Sequence, residues 1–401
     1  FVLQDCMSTK KPHIEGEEGS EHTHRTKKEL HPYLRSLKEH RFATVGLVVA
    51  VIALCAVGGF AYYQSQQPGP SVVSQIVDTV TEEPVVVPEE SKEIPRHIDG
   101  VIVPREEANP HLVCVMIENA AFGGVRPQSG LSKASVVYEV IVEGGITRLM
   151  AVFANDDDDK ADIIGPVRSA RDTYLEFAAE YNCPYAHAGG SYTAMLALRE
   201  RNFRDVDGLK ERGFYRRAGK VSPHNLFISW DDLQTLAGGH NWRDEAPTYT
   251  PWAFADPLDT AARPGNDATN KARTVKVGFG GSYDVEFRYN ADENVYERYD
   301  GGVAHKDELT NDVIKTKNVV LYHVADGDSI EGKGRINWPV TRPEGGDVDI
   351  IHDGMVTKGK WKKGAASERV SFVDADGKDI PLTRGNTWVE VVPPHISSSI
   401  E

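Results

Sequence analysis

Three apolar runs decide the fold: H-L-V-C-V-M-I-E-N at 111–119, S-V-V-Y-E-V-I-V-E at 135–143 and I-T-R-L-M-A-V-F-A-N at 146–155. The first is a continuous apolar strand of the kind buried on both faces. The other two flank Gly144-Gly145, a two-residue hairpin signal. With a two-residue turn, Glu143 faces Ile146, Ile141 faces Arg148 and Glu139 faces Met150. Side chains alternate along a strand, so this register puts Glu139, Glu143 and Arg148 on one face. A slip of one residue sends Arg148 to the other face.

Before the hairpin, Gly123-Gly124 leads to R-P-Q-S-G-L at 126–131. After it, the acidic run Asp156–Asp159 lacks EF-hand spacing and reads as a solvated turn. I-G-P-V-R-S-A-R at 164–171 then enters D-T-Y-L-E-F-A-A-E-Y, which is helical through Tyr181, with Ser169 and Asp172 in capping-box spacing. C-P-Y-A-H-A-G-G-S at 183–191 reads as a short strand ending in Gly189, Gly190 and Ser191, and T-A-M-L-A-L-R-E-R-N follows as a helix. Strand, glycines and helix start in that order make an anion pocket of backbone N–H groups. The spacing matches neither a Walker loop nor a dinucleotide fingerprint.

Residues 201–245 are loop-rich and carry R-R-A-G-K-V-S-P-H-N-L-F at 216–227, and 246–271 lack periodicity. From 272 to 394 short strands recur, with turn signals at Asp353-Gly354 and Asp376-Gly377. The expected fold class is an α+β N-terminal domain at 100–245, a mixed sheet with helices. A connection at 246–271 joins it to a mostly β C-terminal domain at 272–394.

A chain of 401 residues is long enough for two cores. Its net charge is −15, yet residues 1–41 carry eight Lys/Arg against seven Asp/Glu and 42–63 carry none, so the body is strongly acidic. That excludes a general nucleic-acid binder, which needs a basic footprint. Phe42 to Tyr63 is uncharged and mostly apolar, and at ~1.5 Å per residue it spans a ~30 Å hydrocarbon core. Basic residues precede it and Glu82, Glu83, Glu89 and Glu90 follow, which sets the N-terminus in the cytoplasm and the body outside. Residues 1–41 are a disordered cytoplasmic tail, 42–63 a single transmembrane helix and 64–99 an extracytoplasmic linker. Of four cysteines, Cys114 and Cys183 fall outside the membrane. An oxidising space permits a disulfide between them. Two buried thiols are the preferred reading, because Cys114 sits within an apolar run. No zinc spacing occurs and the sequence names no cofactor.

R-P-Q-S-G-L-S-K-A-S-V-V-Y-E, E-G-G-I-T-R, I-G-P-V-R-S-A-R, Y-A-H-A-G-G-S and P-H-N-L-F, with the terminal G-N-T-W-V-E-V-V-P, resemble the YerB-like family of bacterial envelope proteins over residues 100–394. The resemblance implies a two-domain fold tethered outside the cytoplasmic membrane. Many members are lipoproteins; this sequence departs from them in having a transmembrane span and no lipobox cysteine. The family supplies no catalytic residue to carry over.

Arg126, Arg148, Arg168 and Arg171 lie in or beside glycine-bounded turns, and their planar forks suit phosphate or carboxylate. Gathered with Gly189, Gly190 and Ser191, they would hold an anionic guest. The competing reading pairs each arginine with a nearby carboxylate, Arg148 with Glu139 or Glu143. Arg168 and Arg171 stand at a helix start, where a cation opposes the dipole unless it serves a ligand or partner. His187 and His224 are the acid/base candidates. Ser191 lacks a G-x-S-x-G elbow and reads as an N-cap. Glu139 and Glu143 stand ~13 Å apart along a strand, against the ~5–9.5 Å of glycosidase pairs. The reading is therefore a membrane-anchored binder of an anionic envelope component, such as a wall polymer or lipid-linked precursor. The alternative is a hydrolase or transferase of a phosphodiester or glycosidic bond, using His187 or His224 with Glu139.

Overall fold

A computed structural model describes residues 91–154, 160–264, 268–332 and 334–401. The expected tail, apolar span and most of the linker, together with the acidic run 156–159, lie outside the described residues. The strands are β1 Leu112–Glu118, β2 Val136–Ile141, β3 Thr147–Ala154, β4 Tyr185–His187, β5 Asp205–Asp207, β6 Thr274–Gly278, β7 Val285–Asn290 and β8 Val295–Asp300. They continue as β9 Val303–Ala304, β10 Lys315–Thr316, β11 Asn318–His323, β12 Arg342–His352, β13 Met355–Lys363, β14 Ser371–Val373, β15 Thr387–Val392 and β16 Ser397–Ile400. The helices are α1 Asp172–Ala178, α2 Tyr192–Glu200 and α3 Trp230–Gly239. Strand dominates and helices are few. Among the described residues no helix is long and apolar enough to cross a membrane.

Ten strands form one mixed sheet in the order β14-β13-β12-β11-β15-β2-β3-β1-β4-β5. β15 pairs in parallel with both β11 and β2, so strands from the two parts of the sequence meet at the centre of this sheet. Strand alternation divides the core. Cys114, Met116, Tyr138, Val140, Met150 and Val152 pack on one face with Tyr174, Leu175 and Phe177 of α1. Val113, Val115, Ile117, Val137, Leu149 and Trp388 pack on the other with Val275, Val277, Phe287 and Tyr296 of the second sheet. That sheet runs β9-β8-β7-β6-β16, with β10 on β8. β1 is buried along its whole length, as its unbroken apolar run requires.

The β2–β3 hairpin forms one residue out of the expected register. Its turn takes three residues, Glu143–Gly145, with φ of 77° at Gly144 and 70° at Gly145. Glycine alone adopts such angles without a Cβ penalty, which explains the pair. Ile141 therefore faces Thr147, Val140 faces Arg148 and Glu139 faces Leu149. Arg148 and Glu139 lie on opposite faces of the sheet, and the expected single-face grouping is corrected.

Other local expectations shift as well. The N-cap of α1 is Arg171 with no side-chain bond, so Ser169 does not cap it. Ser191 does cap α2, accepting from Ala194 N at 3.3 Å. Part of the expected linker is folded, since Glu93–Pro95 pairs with Ile102–Pro104. The expected connection buries Tyr249 and Trp252 in the core. Long aromatic burial there is what its lack of periodicity concealed.

Cys114 and Cys183 are joined in a disulfide across a separation of 69 residues, which overturns the buried-thiol reading. The apolar run around Cys114 fixed its burial and carried no information on its partner. A loop of that length implies ~4 kcal/mol by chain entropy, and removing a native disulfide costs about 2–5 kcal/mol. The Cys114→Ala/Cys183→Ala variant is expected to lose about 3 kcal/mol in urea unfolding; an unchanged midpoint would show the bond to be dispensable.

Candidate functional site

The sequence motifs converge on two residues at the end of β1, Glu118 and Asn119, both buried. Glu118 Oε1 meets His224 Nδ1 at 2.8 Å and Arg168 Nε at 3.4 Å. Its backbone carbonyl accepts from Gln128 Nε2 at 3.1 Å. Its cross-strand partner on β3 is Arg148. Asn119 Oδ1 accepts from Arg126 Nε at 3.0 Å and Gln128 Nε2 at 2.8 Å. Asn119 Nδ2 donates to Thr147 Oγ1 at 2.8 Å and to Glu139 Oε1 at 3.1 Å. Neither residue was singled out from the sequence, where both read as the end of an apolar strand.

The four arginines border this hub and Glu143, and three of them are paired. Arg171 Nε donates to Glu143 Oε2 at 2.8 Å. Burial opposes the Glu143 charge, yet bonding from Arg171 holds its pKa down at about 2. Arg168 pairs with Glu118, and Arg126 Nε lies 3.5 Å from Asp300. Arg148 has neither expected partner; its Nη1 donates to Ser169 O at 3.1 Å. Burial, followed by the charge of Arg171, pushes its pKa down to about 10.

The glycine loop is already occupied from within. Gly189 N donates to Asp207 Oδ1 at 3.0 Å and Ser191 N to Ala170 O at 3.3 Å. Two of the three N–H groups expected to face an anion are therefore spent on the fold. His187 is wholly buried, with Nδ1 2.8 Å from Gly189 O and Nε2 2.6 Å from Asp205 Oδ1. Both ring nitrogens lie against oxygens of the fold, and the ring has no exposed edge. His224 keeps only its Nδ1 bond to Glu118 and rests edge-on against the exposed Phe122. Among the described residues no hydrogen bond or ion pair joins Glu139 to His187 or His224, the pairings expected from the sequence; Glu139 is bonded to Asn119 and Arg298.

R-P-Q-S-G-L itself is a receptor for the segment after β9. Asp307 accepts from Gly130 N at 3.2 Å and Ser132 N at 2.8 Å, and Glu308 accepts from Ser129 Oγ at 2.7 Å and Arg217 Nη1 at 2.8 Å.

Glu139 belongs to a buried network between the two sheets that sequence reasoning missed. On β8, Tyr296, Arg298 and Asp300 alternate inward. Arg298 donates to Glu139 Oε2 and to His305 Nδ1, and its Nη1 is 2.6 Å from Asp300 Oδ1. His305 Nε2 donates to Gln128 Oε1 at 2.8 Å. Burial pushes the His305 pKa down to about 3, so the ring is neutral. Glu390 is the register partner of Glu139 on β15. Burial, then the Glu139 carboxylate beside it, raises its pKa well above the usual range, so it holds a proton. The cations Arg298 and Arg126 then balance the anions Glu139 and Asp300. Among the described residues no group of three or more metal-ligating side chains occurs.

The fold and its motif hub define a mostly β protein in two matched parts sharing one sheet. The chain belongs to the family described as Protein of unknown function (DUF3048), whose N-terminal domain matches residues 100–243 and whose C-terminal domain matches 275–389. It is 28% identical over 323 residues to YerB of Bacillus subtilis (strain 168), named as a candidate lipoprotein, covering 78% of this chain and 91% of that one. The crystal structure of the Bacillus subtilis YerB protein superposes with a TM-score of 0.65 at 26% identity, covering 76% of this chain and 99% of the other.

Proposed function

We propose that this protein is a membrane-tethered extracytoplasmic module that binds an anionic component of the cell envelope. The 42–63 span serves as its anchor, with the N-terminus cytoplasmic and the body outside. The lipoprotein name of the Bacillus subtilis relative supports a membrane-associated location. The Cys114–Cys183 disulfide belongs with an oxidising space. One observation carries the binding reading. Arg168 and His224 are held by the same buried carboxylate oxygen of Glu118, at 3.4 and 2.8 Å, and both side chains remain partly exposed. Arg168 is a pre-oriented donor of the kind that suits phosphate or carboxylate groups, and His224, its Nδ1 spent on Glu118, stands beside it.

Thermal-shift measurements test this reading. The wild type is expected to gain stability with a polyglycerol-phosphate polymer, and Arg168→Ala to lose most of that gain. Equal shifts would remove Arg168 from the site, and the absence of any wild-type shift with anionic wall polymers or lipid-linked precursors would sink the function. The alternative, a hydrolase or transferase of a phosphodiester or glycosidic bond, draws on His224 alone. Its Nδ1 is held by Glu118 as an orienting carboxylate holds a general base. Glu139 contributes nothing to it, being locked on Arg298.

A further inference from the structure

A cleft of about 480 Å³ is lined by Ala121, Arg126, Val303, Lys306 and the buried pair Asp300 and His305. Its size lies within the ~300–1,000 Å³ of small-molecule sites. The cleft reaches the inter-sheet network through Asp300. Asp300 is 6% exposed as a residue and its two carboxylate oxygens are fully buried; neither accepts a well-formed hydrogen bond, although Arg298 Nη1, His305 Nδ1 and Arg126 Nε lie 2.6, 3.4 and 3.5 Å away. A buried carboxylate in this condition has acceptor capacity to spare, and a hydroxyl or ammonium donor is its natural complement. His305 cannot supply that donor, because its Nε2 is bonded to Gln128 and its Nδ1 accepts from Arg298.

The mouth has the opposite character. Arg126 commits Nη1 to Ser282 O at 2.7 Å and Nη2 to Asn119 O at 3.0 Å, which fixes its plane and leaves N–H groups over. Lys306 is exposed at the rim. Val303, 71% exposed, forms an apolar wall. One cleft thus presents an acceptor at its floor, fixed positive charge at its mouth and an apolar side.

We propose that this cleft receives a hydroxyl-rich anion, a polyol phosphate or acidic sugar unit, with a hydroxyl on Asp300 and the anionic group at Arg126 and Lys306. The inference rests on the anionic-ligand reading above and adds a second contact for the same polymer, separate from the Arg168–His224 pair. A simple anion lacks the hydroxyl, and a neutral sugar lacks the charge. Both should bind less well than a ligand carrying the two together.

Calorimetric titration of the full chain with a polyglycerol-phosphate polymer, inorganic phosphate and neutral dextran tests it. The polymer is expected to bind at least about tenfold more tightly than either simple probe. Val303→Trp fills the cleft from an exposed wall and Lys306→Glu reverses the charge at its mouth. Both side chains are exposed, although Val303 is the register partner of Asp300, and each variant is expected to weaken polymer binding about tenfold with an unchanged urea midpoint. Unaltered affinity in both variants overturns the proposal. If Arg168→Ala abolishes binding while both cleft variants bind the polymer normally, the cleft falls and the broader function stands. Phosphate binding as tightly as the polymer removes the hydroxyl contact to Asp300. No wild-type binding to any anionic probe overturns both readings together.

Discussion

Glu139→Gln is expected to destabilise the protein by about 4 kcal/mol, whereas Glu390→Gln should change stability by less than about 1 kcal/mol. The two glutamates are register partners on adjacent parallel strands, both wholly buried, and a count of contacts would treat them alike. Their protonation separates them. Glu139 faces Arg298 and is the anion that balances it, so an amide there leaves a buried guanidinium uncompensated. Glu390 is held neutral by burial and by Glu139. An amide N–H can replace its carboxylic O–H as donor to Glu139 at nearly the same shape. Urea unfolding of the two variants at neutral pH is the measurement. Equal losses, or a larger loss for Glu390→Gln, would refute the assignment of the proton.

The same network marks where sequence reading stops. β1, the strands after residue 272 and the helix after Ser191 were legible because their periodicity reflects local burial. The hairpin was legible as an element but not in register. Two glycines in sequence fit a two-residue turn and a three-residue turn alike, and the difference of one residue moves Arg148 to the face opposite Glu139. Arginines near glycines suggested a ligand site, yet three of the four meet carboxylates that the fold brings from elsewhere. Arg298 and Asp300 had a usable signal, since the alternation in V-Y-E-R-Y-D sends Tyr296, Arg298 and Asp300 inward together. What they would meet there was out of reach. Glu390 becomes their neighbour only when β15 enters the sheet between β11 and β2.

Acid should destabilise the protein from about pH 6.5 downward, ahead of ordinary carboxylate titration, through His305. Its pKa falls from the usual 6.5 to about 3 in the folded state, because burial in contact with Arg298 disfavours a second proton. Between those values the unfolded chain binds the proton and the native chain does not. Stability therefore rises with pH across this window and is lost as pH falls through it. At about pH 4 the loss from this group is about 3.4 kcal/mol, near 1.4 kcal/mol for each unit below 6.5. Glu390 acts in the opposite sense. Its raised pKa means the native state holds a proton that the unfolded chain releases, so its contribution declines as pH climbs above the ordinary carboxylate range. The slopes partly cancel in the wild type; Glu180, raised by burial, opposes in the same sense as Glu390, and Glu390→Gln removes one of the two opposing contributions. Glu143 and Asp353, both held at about 2, begin to give up their contributions as pH falls through 4.5 and 3.8, at and below the lower edge of that window. Denaturant unfolding of Glu390→Gln between about pH 7 and pH 4.5 should thus show a steeper decline than the wild type. A flat profile would mean that His305 takes up a proton without cost, and that its bond from Arg298 does not exist in solution.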